Sequence, residues 1–145
     1  MSWKRLSFLA LAGLVACIIG LYLHHAIFGA GPISVTIQVL AALLMIWARV
    51  TFGMRSFHGT ANPPAGGLVT TGPYRFIRHP IYSAILLFFW AGIAAHASPA
   101  TLGLGVLVTV FTAVRMGAEE KLLVTMYPEY AAYARNTRRV VPLVF

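Results

Sequence analysis

The chain contains no aspartate and three glutamates, Glu119, Glu120 and Glu129, among 145 residues. Only 10% of its residues are charged, where a water-soluble domain carries about a quarter. Such a chain cannot cover a surface facing water, so lipid is the solvent for most of it. A single cysteine, Cys17, lies within an apolar run. It excludes a disulfide or a cysteine–zinc framework within one chain and reads as a small core hydrophobe. The five histidines are scattered with no nearby acids, so no metal site is expected. There is no phosphate-binding glycine loop, no nucleotide fingerprint after a strand and no serine elbow. No fixed-period repeat and no low-complexity tract interrupts the sequence.

The residues present are apolar and basic. Hydrophobic residues make up 59% of the chain and the mean hydropathy is +0.81. The net charge of +8 comes from lysines and arginines flanking apolar runs. That pattern anchors helices on one side of a membrane and does not point to nucleic acid. Four apolar runs are visible. Leu6 to Ala30 follows Lys4 and Arg5 and reads as a retained first helix rather than a cleaved leader. Gly29, Gly31 and Pro32 make a turn. Ile33 to Ala48 forms a second span with Gln38 as its strongly polar residue. Ile81 to Ala95 and Ala100 to Val114 are shorter and read as a hairpin around His96–Pro99. Nothing breaks the helix at Arg115, so the fourth is expected to continue out of the bilayer. Pro128 to Arg135 suits a short further helix. Glycine and proline punctuate residues 53–80, which read as a loop. Small residues such as Gly103 and Gly105 suit close helix packing.

The expected fold is therefore all-α: a polytopic membrane protein of about four transmembrane helices, with a loop and a C-terminal helix forming the site. A single domain covers 1–145: two spans in 1–52, the loop in 53–80, and a hairpin with its C-terminal helix in 81–145. Lys4 and Arg5, then Arg55, Arg75 and Arg78, then Lys121, Arg135, Arg138 and Arg139 all fall on one side. The other two connections carry no lysine or arginine. Both termini are then expected in the cytoplasm of a bacterial or archaeal membrane.

Two polar clusters fall on that same face. Gly72-Pro-Tyr-Arg-Phe-Ile-Arg-His-Pro-Ile-Tyr82 packs two arginines, a histidine and two tyrosines against the start of the third run. Arg78 and His79 are donors beside Pro80, and Tyr74 and Tyr82 offer hydroxyls and π faces. The set suits a ligand bearing a carboxylate and a cation held near an aromatic ring; as simple anchors, the same residues would form an interfacial belt. The second cluster, Arg115-Met-Gly-Ala-Glu-Glu120, holds two of the three acids. Glu119 can pair with Arg115 one turn earlier, leaving Glu120 free to face the first cluster or water. His24 and His25 diverge on a helix and read as interfacial anchors, and His58 and His96 as lone surface histidines.

The run Leu68-Val-Thr-Thr-Gly-Pro-Tyr-Arg-Phe-Ile-Arg-His-Pro-Ile-Tyr82, then Glu119-Glu120, then Tyr130-x-x-Tyr133, resembles the isoprenylcysteine carboxyl methyltransferase and phospholipid methyltransferase superfamily. These are integral membrane enzymes. The resemblance covers Thr51 to Pro142 and implies S-adenosylmethionine as cofactor. It implies a cofactor pocket of Tyr74, Arg78, His79, Tyr82, Glu119, Glu120, Tyr130 and Tyr133, with Arg78, Arg115 and Glu120 at the reacting centre. It also implies an isoprenylcysteine carboxyl O-methyltransferase-like activity on a lipid or lipidated acceptor arriving from the bilayer, with no metal and no nucleic acid; the alternatives are a phospholipid headgroup N-methyltransferase and a non-catalytic membrane scaffold or lipid-binding protein. A carboxylate acceptor would need a cation such as Arg115 and no base; an amine acceptor would need a glutamate as base. One departure is visible: Ala84 stands where the family often has glycine. The loop 53–72 and the segment 128–135 are expected to cover the cofactor.

Overall fold

The structure, a computed structural model, describes residues 2–53 and 67–140. Four long helices and one short one account for most of it: α1 (Trp3–Leu23), α2 (Pro32–Phe52), α3 (Pro80–Ala95), α4 (Pro99–Met126) and α5 (Tyr130–Asn136). A short 3-10 turn occupies Gly72–Arg75. Residues 54–66 of the expected loop, Arg55 and His58 among them, lie outside the described residues.

The helix starts follow from local chemistry. Proline occupies the first turn of α2, α3 and α4, where its missing N–H and fixed φ carry no penalty. Ser98 and Thr101 close a reciprocal capping box on α4, satisfying donors that the helix itself leaves unpaired. α4 stops at Tyr127, before Pro128, because the residue preceding a proline is driven out of the helical region.

The helices stand in a row ordered α1, α4, α3, α2: α1 packs along α4, α2 along α3, and the two pairs join where α3 meets α4. Leu14, Cys17 and Leu21 of α1 meet Ile93 of α3, Val108 of α4 and Ala26 in a buried apolar core. Large apolar side chains point outward along the row, including Phe8, Ile19, Leu40, Leu43 and Ile46. Such a continuous apolar exterior belongs in lipid. α1, α2 and α4 are each long and apolar enough to cross a bilayer, and α3 is a shorter apolar helix. The 16 residues of α3 span about 24 Å at 1.5 Å per residue, against a hydrocarbon core of about 30 Å.

The first apolar run does not stay helical to Ala30. α1 ends at Leu23 and His25 adopts φ 53. The apolar residues after it form a connection that packs on α3. A Cβ on Gly92 would lie 2.4 Å from the carbonyl oxygens of Ala26 and Ile27, so only glycine admits this approach. Gln38, the polar residue of α2, ties the connection down. Its Oε1 accepts from the Gly29 N–H at 2.8 Å, and its Nε2 donates to the carbonyls of Ile27 at 2.7 Å and Phe88 at 3.0 Å. His96 Nε2 donates to the Phe28 carbonyl at 3.0 Å. At the opposite end, α4 exceeds the bilayer. About 20 of its residues span the core, ending near Ala118, so Glu119 and Glu120 sit on the part beyond.

Candidate active site

The sequence around residue 78 cannot continue as helix toward its N-terminal side. His79 precedes Pro80 and adopts an extended-side φ of -123, which leaves the Phe76–His79 backbone open for pairing. The segment after α5 takes that place. Ile77 and Arg138 form a parallel bridge. The N–H groups of Arg78 and His79 donate to the carbonyls of Arg138 at 2.7 Å and Arg139 at 3.0 Å. The Ser83 hydroxyl donates to the Val140 carbonyl at 2.6 Å. The tail is thereby fastened across the start of α3.

Arg78 completes the fastening. Its Nη1 donates to the carbonyls of Ala134, at 2.6 Å, and Thr137 at the end of α5. A cation there satisfies carbonyls that no helical N–H can reach and favours the negative end of the helix dipole. Its Nε donates to Glu120 Oε1 at 3.2 Å. The same oxygen accepts from His79 Nε2 at 3.3 Å, and Glu120 Oε2 lies 2.8 Å from Arg139 Nη2. Of the two settings its position left open, Glu120 thus takes the first cluster rather than water. Burial opposes its charge. The hydrogen bond and charge of His79, with Arg139 and Arg78, prevail and hold the carboxyl at about 2. Arg139, read from sequence as a headgroup anchor, joins the cluster because the tail folds back.

Glu119 occupies a different setting. No direct ion pair to Arg115 is present among the described residues. The Tyr82 hydroxyl stands between them, donating to Glu119 Oε1 at 2.8 Å and accepting from Arg115 Nε at 3.2 Å. Arg115 is buried and its Nη1 donates to the Ser7 carbonyl of α1 at 3.0 Å. Glu119 Oε2 lies 3.7 Å from His79 Nδ1, and the side chain is 30% exposed against 13% for Glu120. Glu119 is therefore the carboxylate with room for a further partner.

The tyrosines form the next layer. Tyr74 packs its ring on Phe52 at 5.4 Å and its carbonyl accepts from the Tyr133 hydroxyl at 2.7 Å. The approach of this turn to α2 depends on Gly72, φ 57, where a Cβ would lie 2.6 Å from the Thr51 hydroxyl. Tyr130 stacks edgewise on Tyr133 at 5.9 Å. Its hydroxyl is buried without a hydrogen bond of ordinary geometry, although the Glu120 charge, after burial, raises its pKa. Burial also raises Tyr74, with help from Glu119, and pushes Tyr133 up to about 12. All three remain neutral phenols at physiological pH. Ala84 is buried in α3. Among the described residues no group of three His, Cys, Asp or Glu could hold a metal ion.

Arg78, His79, Tyr82, Arg115, Glu119 and Glu120 thus form one connected polar network, with Tyr130 beside it and Tyr74 and Tyr133 adjoining. Sequence reasoning missed Arg139, the α5 carbonyls and the Ser7 carbonyl. The Arg138-Arg139 pair after α5 was a usable signal; the backbone partners left none.

A sequence profile described as phospholipid methyltransferase matches residues 26–130. The chain is also 33% identical over 76 residues to a cobalt-zinc-cadmium resistance protein, CzcN, of Cupriavidus metallidurans. That match covers 52% of this chain and 35% of the relative, so the chain spans about a third of that protein's length.

Proposed function

The chain belongs to the phospholipid methyltransferase family, and we propose that it is an integral membrane methyltransferase that uses S-adenosylmethionine and methylates a lipid or lipidated acceptor. The observation that carries the site assignment is the unequal state of the two adjacent glutamates. Glu120 is enclosed by Arg78, His79 and Arg139, whereas Glu119 keeps an oxygen at a part-exposed position.

The residues suit the cofactor. Its amino group fits a carboxylate such as Glu119, its carboxylate fits the cationic rim at Arg139, which is 45% exposed, and its cationic centre fits a wall of neutral phenols. When bound, S-adenosylmethionine supplies the methyl group. The protein's contribution is to orient the acceptor, exclude water and manage its proton. Arg78 reaches the cofactor only by giving up α5 or Glu120, so its role is to hold the tail over the site.

An amine headgroup fits better than a carboxylate. The carboxylate reading, typified by the isoprenylcysteine carboxyl enzymes, requires a cation at the acceptor. Arg115 is buried and committed to Ser7 and Tyr82. An amine acceptor needs no such cation; it reacts as the free amine once its ammonium proton has been given up. The acceptor would arrive sideways from the bilayer, at a cytoplasmic site. The test is incubation of purified protein with methyl-labelled cofactor and total membrane lipid extract, followed by identification of the labelled lipid. Label in an amine headgroup is expected. Label in a base-labile methyl ester would reassign the acceptor to a carboxylate, and no transfer to any lipid would overturn the function.

A further inference from the structure

We infer that α1 is a working part of the site, and that Arg115 and Tyr82 are positioning residues that fix Glu119 relative to the α1 backbone. α1 lies wholly outside the region matching the family, which begins at residue 26, and carries no site motif of its own. It is nevertheless hydrogen-bonded into the network. The Ser7 carbonyl accepts from Arg115 Nη1 at 3.0 Å, Arg115 Nε donates to the Tyr82 hydroxyl at 3.2 Å, and that hydroxyl donates to Glu119 Oε1 at 2.8 Å. The relay crosses three helices, from α1 through α4 to α3 and back to α4.

Burial falls along the relay toward its functional end. Ser7 is 0% exposed, Arg115 6% and Tyr82 8%, while the Glu119 side chain is 30% exposed. A guanidinium buried in a membrane protein with a backbone carbonyl and a phenol as its partners is costly. Thr112, one turn before Arg115 on α4, and Ser7 also keep buried hydroxyls without hydrogen-bond partners. A packing role alone would be met by apolar side chains. The relay uses the fork of an arginine, whose donors leave one plane at fixed angles and so set two partners at once. The phenol receives from a cation and gives to an anion, and each bond polarises the other. Its effect is to pin Oε1 of Glu119, so that Oε2, which has only His79 Nδ1 at 3.7 Å, is the oxygen that meets the ligand.

This inference rests on the reading of Glu119 as ligand-facing. The test is a double-mutant cycle with Tyr82→Phe and Glu119→Gln, using calorimetric titration of S-adenosylhomocysteine into full-length protein in detergent micelles. Tyr82→Phe removes the hydroxyl and keeps the ring; Arg115→Lys keeps the charge and loses the fork. Each is expected to weaken binding about tenfold, from the usual worth of a hydrogen bond to a charged group. The double variant is expected to bind no more weakly than Glu119→Gln alone. The same cycle read in unfolding midpoints without ligand is expected to be non-additive. Wild-type affinity in both Tyr82→Phe and Arg115→Lys, or strictly multiplying losses with additive midpoints, would overturn the relay. Absence of binding by the wild type would instead overturn the proposed function, and the ligand-free cycle would still decide the relay.

Discussion

The guanidinium of Arg78 lies 3.2 Å from the carboxylate of Glu120, across 42 positions of sequence. This one pair joins the start of α3, the extension of α4 and, through the α5 carbonyls, the C-terminal tail. Arg78→Ala removes all three links. Loss of a hydrogen bond to a charged group costs about 1.5–3 kcal/mol, so a lowered unfolding midpoint and faster proteolysis within 130–140 are expected. Unchanged protease resistance of the tail would show that Arg78 does not hold it.

Acid should weaken the same hub. Glu120 titrates near 2 in the folded protein against an ordinary 4.5. Its folded value is depressed, so its contribution is complete above pH 4.5 and is lost as pH falls toward 2. Thermal unfolding from pH 6 to pH 3 should show a falling midpoint, and Glu120→Gln should flatten that slope. An equal slope in the variant would place the acid sensitivity elsewhere.

How far the sequence disclosed this arrangement depends on the range of the interaction. Pro80, Ser98 and Pro99 mark helix starts through their own backbone chemistry, and α3 and α4 begin there. The continuation of α4 past Arg115 was legible because no breaker precedes Pro128. The end of α1 was not. Ala26 and Ile27 pack into the apolar core and Phe28 lies on Phe88, and hydropathy does not separate such a connection from a lipid-facing helix. The unlike states of Glu119 and Glu120 were hidden as well. Neighbours on a helix point about 100° apart, and which one meets Tyr82 depends on the phase of α4 against α3. Arg139 became part of the site through the fold-back at Ile77 and Arg138, a contact of high sequence separation.

Gln38 makes a prediction of stability apart from binding. It satisfies two backbone groups of the connection and the Phe88 carbonyl of α3, far from the glutamates. Gln38→Leu should lower the unfolding midpoint, at about 1–3 kcal/mol for each buried group left unpaired, and leave S-adenosylhomocysteine affinity unaltered. A loss of affinity would mean that the two ends of the bundle are coupled.

We propose from lysine and arginine placement that both termini face the cytoplasm. Reporter fusions at 25–33 and 95–100 should read as external. A cytoplasmic signal at either position would contradict the proposed orientation.

The tail should behave as a lid. α5 and the following residues lie across the candidate site, so S-adenosylhomocysteine is expected to raise amide protection over Tyr130–Asn136. Protection that responds to anionic lipid and not to the ligand would make the segment a headgroup anchor instead.

The central claim is that a cofactor-binding site is built around Glu119. Calorimetric titration of S-adenosylhomocysteine into the wild-type protein, beside Glu119→Gln, tests it most directly. The expected result is saturable binding by the wild type, weakened about tenfold or more in the variant. No binding by the wild type, or equal binding by both proteins, would contradict it.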